Sequence, residues 1–528
     1  MNAFDGFLER KYETGIQLLL LAGILITANI LANSLILRFD LTENNRYTLS
    51  EASQDIAESM NDPVTVTAYF SDGLPPQLST AKDEFRNFLD EFRAYSGGNL
   101  EYRFVNPNES DQAEQTAQQA GIRPVMIDVR ERDQISQKRA YLGAVFQYED
   151  KREILPVIQP GAALEYNIAS TIKQLIVTEK PKVGLLQGHG EPNRQSMPQL
   201  TEQVSQQYQL VNVSGIDTAG VPADIEVLLV IKPENNLNTD ELVAIDQYLM
   251  SGGRAIFAIN RVKTQVQQGR ASVLNTGVEK LLAGYNVPVN GNLVRDLNSS
   301  RIQVRQQQGG FSFVNQVRYP FIPLVVNFAE HPVSDGLETA LMQFVSSIDT
   351  TQVDTSQSLT VLARSSERSG VSSGFFNLNP MQEWQQSNFQ KAYLPLAALV
   401  EGTFPSAFAG ADTVDISRES SVSTSMIVFG DGDFVVNGDG QRQQQQRLPD
   451  DNINLFVNAV DWLADDTGLI ELRTKGITNR PLENVESGTK TLLKYVNLFL
   501  PILIVLGIGL FRYQRRKSRR TRWMQEGV

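Results

Sequence analysis

Two glycine-punctuated turns carry the side chains of this 528-residue chain best suited to chemistry. Gly188-His189-Gly190-Glu191 follows the apolar run KVGLL, and Gly430-Asp431-Gly432-Asp433 follows MIVF. One histidine with three carboxylates could hold a hard or borderline metal ion, exchange protons or grip a polar ligand. The plainer alternative is a tight turn whose histidine hydrogen-bonds the backbone, with Asp and Gly as ordinary turn and N-cap residues. His189, Glu191, Asp431 and Asp433 are therefore the candidate ligand-binding residues. No catalytic residue, metal or cofactor is expected. Glu191 with Asp431 or Asp433 would suit glycoside hydrolysis only at carboxyl separations of roughly 5 to 9.5 Å, which the sequence does not set.

Other chemistries are narrowed by what the chain lacks. There is no cysteine, which removes thiolate nucleophiles, disulfides and Cys-based zinc or iron–sulfur sites. The second histidine, His331, precedes Pro332 without a recognisable acid–base partner and reads as structural. Ser487-Gly488-Thr489-Lys490-Thr491 superficially resembles a phosphate-binding loop, but in that motif Lys follows Gly directly. No nucleotide-hydrolysing site is recognisable.

The elements that must position the two turns fall into two α/β units. In residues 38–179, Ser50 and Ser53 mark a helix start and VTVTAYF reads as a strand. Phe85, Phe88, Leu89 and Phe92 share one helical face. Further strands are expected at 100–105, 125–129, 144–148 and 151–157, with helices at 113–120 and 165–178. This order, βαβα, then strands, then a helix, is that of a thioredoxin-like module. In residues 180–467, strands alternate with helices at the spacing of a parallel sheet with right-handed crossovers, interrupted by insertions. Ligands of such sheets sit at the carboxyl ends of strands, where both turns fall, so the sheet would bring the second turn toward His189. Residues 298–310, 365–374 and 438–450 read as loops. Arg318-Tyr319-Pro320 with Pro323 reads as a stiff, extended segment suited to an interface.

The ends of the chain are apolar. Residues 15–37 carry no charge, and residues 496–511 are apolar between Lys494 and a basic tail. Each is predicted to be a transmembrane helix, at 15–37 and 493–511. The tail from Arg512 to Arg522 holds seven Lys or Arg and no acid, which places the C-terminus in the cytoplasm. Two spans place the N-terminus, 1–14, there too. The body would then be extracytoplasmic, with a linker at 468–492 and the tail at 512–528. Residues 38–511 hold 38 Lys or Arg against 56 Asp or Glu, a balance that argues against nucleic acid as a partner.

Several strings resemble one family. FDLTENNRYTLSEAS, VTVTAYFSDGLPP and DEFRAYSGGNLEYRFVNPNE are similar to the N-terminal module of the gliding-motility-associated auxiliary subunit of ABC transporters (GldG-type). KVGLLQGHGE, YLMSGGRAIFAIN, RYPFIP with HPVSDGLE, and FGDGDFVVN with NLFVNAVDWLADD resemble that family's second domain. The resemblance implies an amidotransferase-like (flavodoxin-like) fold, of a kind shared with intraflagellar-transport proteins. The enzymes of that fold use a cysteine, which is missing here. It also implies a non-enzymatic accessory subunit of the bacterial inner membrane, working with a separate multi-span permease and a separate ATPase on an unknown envelope substrate. Two other readings stand beside it: an envelope module binding a glycan, lipid or peptide, and a membrane-anchored hydrolase.

Overall fold

The computed structural model describes residues 48–472 except 132–133, 159–163, 178, 309–310, 353–355, 411–415, 439–445, 466–467 and 471, together with scattered positions nearer both ends. The chain divides into two units, residues 1–476 and 477–528. In the second unit the described residues are helical. Among the described residues no helix is long and apolar enough to cross a membrane. The apolar run at 15–37 falls largely outside the described residues, whereas the described positions of 493–511 are helical.

The first module opens with α1 (Glu51–Glu58), whose N-cap Ser50 accepts the Ser53 N–H through its side chain. Next come β1 (Val64–Phe70), α2 (Pro76–Tyr95), β2 (Leu100–Val105), α3 (Asp111–Gln119), β3 (Val125–Glu131), β4 (Gln134–Ala140), β5 (Leu142–Tyr148), β6 (Lys151–Leu155) and α4 (Leu164–Ile176). The sheet order is β2-β1-β5-β6, with β1 and β2 parallel and the other pairs antiparallel. Phe85, Leu89 and Phe92 are fully buried in its core, as their helical spacing requires. Pro76 stands in the first turn of α2, where a proline needs no N–H partner. The strand at 125–129 belongs to a separate β3–β4 hairpin, not to the sheet. Leu469 and Leu472, from the segment expected as a linker, also pack into this core.

The second module runs β7 (Lys182–Leu186), α5 (Pro198–Gln207), β8 (Gln209–Val213), the single turn α6 (Ile216–Ala219), β9 (Ile225–Ile231), α7 (Thr239–Met250) and β10 (Arg254–Ala258). A long insertion follows: β11 (Val262–Gln265), β12 (Arg270–Val273), α8 (Val278–Gly284), β13 (Asn292–Asp296), β14 (Ser299–Gln308), β15 (Phe311–Val325), β16 (Asn327–Phe328), β17 (Ala340–Leu341), β18 (Gln357–Arg364), β19 (Ser369–Ser373) and β20 (Pro395–Gly402). The chain then returns with β21 (Thr424–Phe429) and α9 (Asp450–Ala464).

The eight-stranded sheet is ordered β16-β18-β20-β21-β10-β9-β7-β8. Its parallel half, β8-β7-β9-β10-β21, has the doubly wound order 2-1-3-4-5. The other three strands extend it antiparallel. The strands are apolar on both sides because both are covered. Val227, Leu229 and Ile231 face α5 and α9, whereas Leu228 and Val230 face α7 and α8.

Three expectations for the insertion need correction. Residues 298–310 and 365–374 are not simply loops: they hold β14, paired along its length with β15, and β19, paired with β13. Exposed Arg301, Gln303 and Arg305 alternate with half-buried Ile302 and Val304, the period-two pattern of a strand with one covered face. The extended segment around Arg318 lies in β15, but Tyr319 and Phe321 are buried in a small core with Phe376 and Leu378 and offer no surface.

Candidate functional site

In a doubly wound sheet the crevice opens where the strand order reverses, outside the carboxyl ends of the strands. Here that point lies between β7 and β9. The chain leaving β7 forms the Gly188–Glu191 turn, and the chain leaving β9 carries Lys232 and Glu234. The two meet through the His189 carbonyl, which accepts the N–H groups of Glu234 (2.9 Å) and Asn235 (2.8 Å).

His189 is held from both sides. Its Nδ1 lies 3.1 Å from Glu191 Oε1 and its Nε2 lies 2.9 Å from Glu241 Oε1. Glu191 also accepts the His189 N–H at 2.6 Å. Glu241 belongs to the capping box that begins α7: Asn238 Oδ1 accepts the Glu241 N–H, and Glu241 Oε2 accepts the Asn238 N–H. The histidine therefore ties the β7 turn to the start of α7. A neutral ring has one N–H, so both contacts hold together only with a doubly protonated ring or with a proton on one carboxyl group. Neither ring nitrogen is open to a ligand.

The second turn forms its own cluster. Asp431 is completely buried; its Oδ2 accepts the Gln343 N–H and its Oδ1 the Asp433 N–H, each at 2.6 Å. Burial, and then the nearby Asp433 charge, push its carboxyl well above the ordinary Asp range. Asp433 Oδ1 lies 2.8 Å from Lys232 Nζ, and its Oδ2 accepts from Asn260 Nδ2 at 2.7 Å. Asn260 returns its Oδ1 to the Gly432 N–H, clamping the turn to the end of β10. Lys232 sits at φ +47°, uncommon for a non-glycine residue. Burial pulls its ammonium down, but Asp433 and Glu234 outweigh that and raise it above the usual lysine value. Lys263 adds a further contact to Glu234 at 3.3 Å.

The four sequence-derived residues thus occupy two side-chain clusters that adjoin through Glu234, whose N–H donates to the His189 carbonyl and whose carboxylate lies 3.5 Å from Lys232 Nζ. β7 and β21 are separated by β9 and β10, so their ends lie about 14 Å apart at a strand spacing near 4.8 Å. Among the described residues no three His, Asp or Glu side chains are grouped to hold a metal ion. Sequence reasoning missed Lys232, Glu234, Glu241, Asn260 and Lys263. Two of these had a signal: Lys232 and Asn260 directly follow, or nearly follow, the last residues of parallel strands. His331 is a cap: its Nδ1 accepts the Val333 N–H, and its ring meets Trp462 edge-on at 4.6 Å.

The class of protein is therefore a doubly wound α/β protein with an antiparallel sheet extension, whose switch-point residues are tied into internal ion pairs. Its second module matches the family model described as ABC-type uncharacterized transport system over residues 180–464, and the chain belongs to that family. Residues 43–147 match a domain of unknown function. An uncharacterized protein of Borreliella burgdorferi is 22% identical over 502 residues, covering 92% of this chain and 94% of the relative. Among solved structures, the mmIFT52 N-terminal domain is 11% identical with a TM-score of 0.33, covering 54% of this chain and 97% of that one. A thua-like protein from Bacteroides uniformis is 13% identical with a TM-score of 0.29, covering 54% and 93%.

Proposed function

We propose that this chain is a non-catalytic, membrane-anchored auxiliary subunit of an ABC transporter. The observation that carries the reading is the family match across the whole second module. The site chemistry agrees with it. Glu191 and Asp431 have no exposed side-chain surface, and the His189 nitrogens are both engaged. Groups so committed hold loops in place; an acid–base pair needs access to a substrate proton. The sheet order β2-β1-β5-β6 supports a thioredoxin-like first module, and the order 2-1-3-4-5 supports an amidotransferase-like second one. Without cysteine, neither module has the thiol chemistry of its enzymatic counterparts.

The apolar runs at 15–37 and 493–511 anchor the chain in the inner membrane, and the basic tail keeps both termini in the cytoplasm. The acidic body lies outside the cytoplasm and meets a multi-span permease, while a separate chain hydrolyses ATP. A gliding role is not part of this reading. Tagged full-length protein is isolated from its native host in mild detergent, and co-purifying chains are identified by mass spectrometry alongside an ATPase assay. Recovery of a permease and an ATPase with turnover supports the proposal. Repeated recovery of the chain without either overturns it.

A further inference from the structure

We infer that a polar cleft along α9 binds a neutral oligosaccharide, at a place separate from both glycine turns. Three hollows, of about 660, 380 and 760 Å³, line up there, each within the size range of small-ligand sites. They share walls: Tyr166, Gln207 and Asp461 line both the first and the second, and Gln203 and Asn454 line both the second and the third. One wall is α5, another is α9, and α4 of the first module contributes Tyr166 and Asn167. The α9 wall is 15 residues long, or about 22 Å at 1.5 Å per residue. That length suits a chain molecule better than a single small one.

The lining selects the class of chain. Asn167, Gln203, Gln207, Asn454 and Asn458 line the central hollow, and Gln199, Asn437 and Gln446 the outer one. A carboxamide presents both donors and an acceptor, which matches hydroxyl groups that both donate and accept. The phenols of Tyr166 and Tyr208 add ring surface for the apolar faces of sugars. Asn437 is informative: its Nδ2 donates to Gln199 Oε1 and to the Gln446 carbonyl, which fixes the amide orientation. Its Oδ1 has no partner among the described residues but is shielded from the hollow, so this amide braces the wall while Gln203, Gln207 and Asn454 face the space. The central hollow carries Asp335 and Asp461 and no cation, which disfavours phosphate or carboxylate ligands there. In the first hollow Lys151, Arg152, Lys173 and Lys180 stand beside Glu153, Glu226, Asp461 and Asp465, and in the outer one Arg447 stands beside Glu202 and Asp450, so neither presents an unbalanced positive surface. No strand edge lines the central or outer hollow, so main-chain pairing with an extended peptide has a template only in the first, where Lys151–Glu153 of the edge strand β6 form part of the lining.

The test uses full-length protein in detergent micelles, titrated calorimetrically with malto-, cello- and chito-oligosaccharides of increasing length. At least one series is expected to bind saturably at millimolar concentration or below, tightening with length. Gln203 and Asn454 are exposed on their helices, so Q203A and N454A leave the fold intact. Together they are expected to weaken binding about tenfold or more. Absence of saturable binding by all three series overturns the proposal, as does binding unaffected by the double substitution. Tighter binding of a mixed decapeptide library than of any sugar also overturns it and makes the cleft a peptide site. None of these outcomes depends on whether a permease co-purifies.

Discussion

The two glycine turns look alike in sequence and differ in what their glycines do. Gly188 and Gly190 adopt φ of +132° and +83°, a region that disfavours other residues, and a side chain added at Gly188 would meet nothing within 4 Å. Gly430 and Gly432 need no unusual φ. A Cβ at Gly430 would lie 2.0 Å from the Ser346 carbonyl oxygen, and one at Gly432 2.6 Å from that of Ala258. The first turn uses glycine to bend the backbone, and the second to let backbones touch. The first is accordingly a latch between β7 and α7, while the second is a buried junction where the insertion rejoins the parallel core.

Substitutions should separate the two. Gly430→Ala is expected to have the largest effect, a loss of at least about 3 kcal/mol in urea unfolding, since the obstacle is backbone that cannot step aside. His189→Ala comes next, at about 2 to 3 kcal/mol, because it leaves the buried Glu191 and the Glu241 carboxylate short of a partner. Gly188→Ala should cost only about 1 to 2 kcal/mol, the strain of a left-handed residue with open space around it. Equal losses for Gly188→Ala and Gly430→Ala would abolish the distinction.

The smallest expected effect is a slope. Asp431 has a folded-state carboxyl raised above its unfolded value, so the folded state binds that proton more tightly. Its contribution to stability is complete below the unfolded value of about 3.8 and declines as pH rises through the raised folded value. In Asp431→Asn this decline should vanish, although the variant is less stable overall because the amide NH₂ faces a backbone N–H. Unfolding free energies of both proteins across a pH series give the difference, and parallel curves would exclude Asp431 as its source.

The parallel core was legible because its strands are short apolar runs spaced by amphipathic helices. The runs KVGLL, 227–231, 239–250 and 255–259 fall on β7, β9, α7 and β10, to within a residue or two. His189 and Glu191 were legible as a local pair, two residues apart. Glu241 was not: locally it is the third residue of a capping box, and only the crossing of α7 brings it to His189. The expectation that Asp431 and Asp433 approach His189 failed because periodicity gives strands but not their lateral order, and two strands stand between. β14 was illegible for a different reason. Its partner lies within a few residues, but its period-two contrast is confined to Arg301–Arg305 and is followed by a glutamine run that carries none.

The arrangement of β10 and β21 has a consequence for how the body forms. They are neighbours in the sheet, yet the whole span from residue 259 to 423 lies between them in the chain. Closing a loop of that length costs entropy before any pairing repays it, and parallel pairing over long separations is intrinsically slow. The last parallel strand and α9, which covers one face of the core, emerge only after the whole insertion has been made. The half-built sheet therefore waits with its β10 edge unpaired while the insertion folds, and it is in that interval that the chain is most exposed to aggregation.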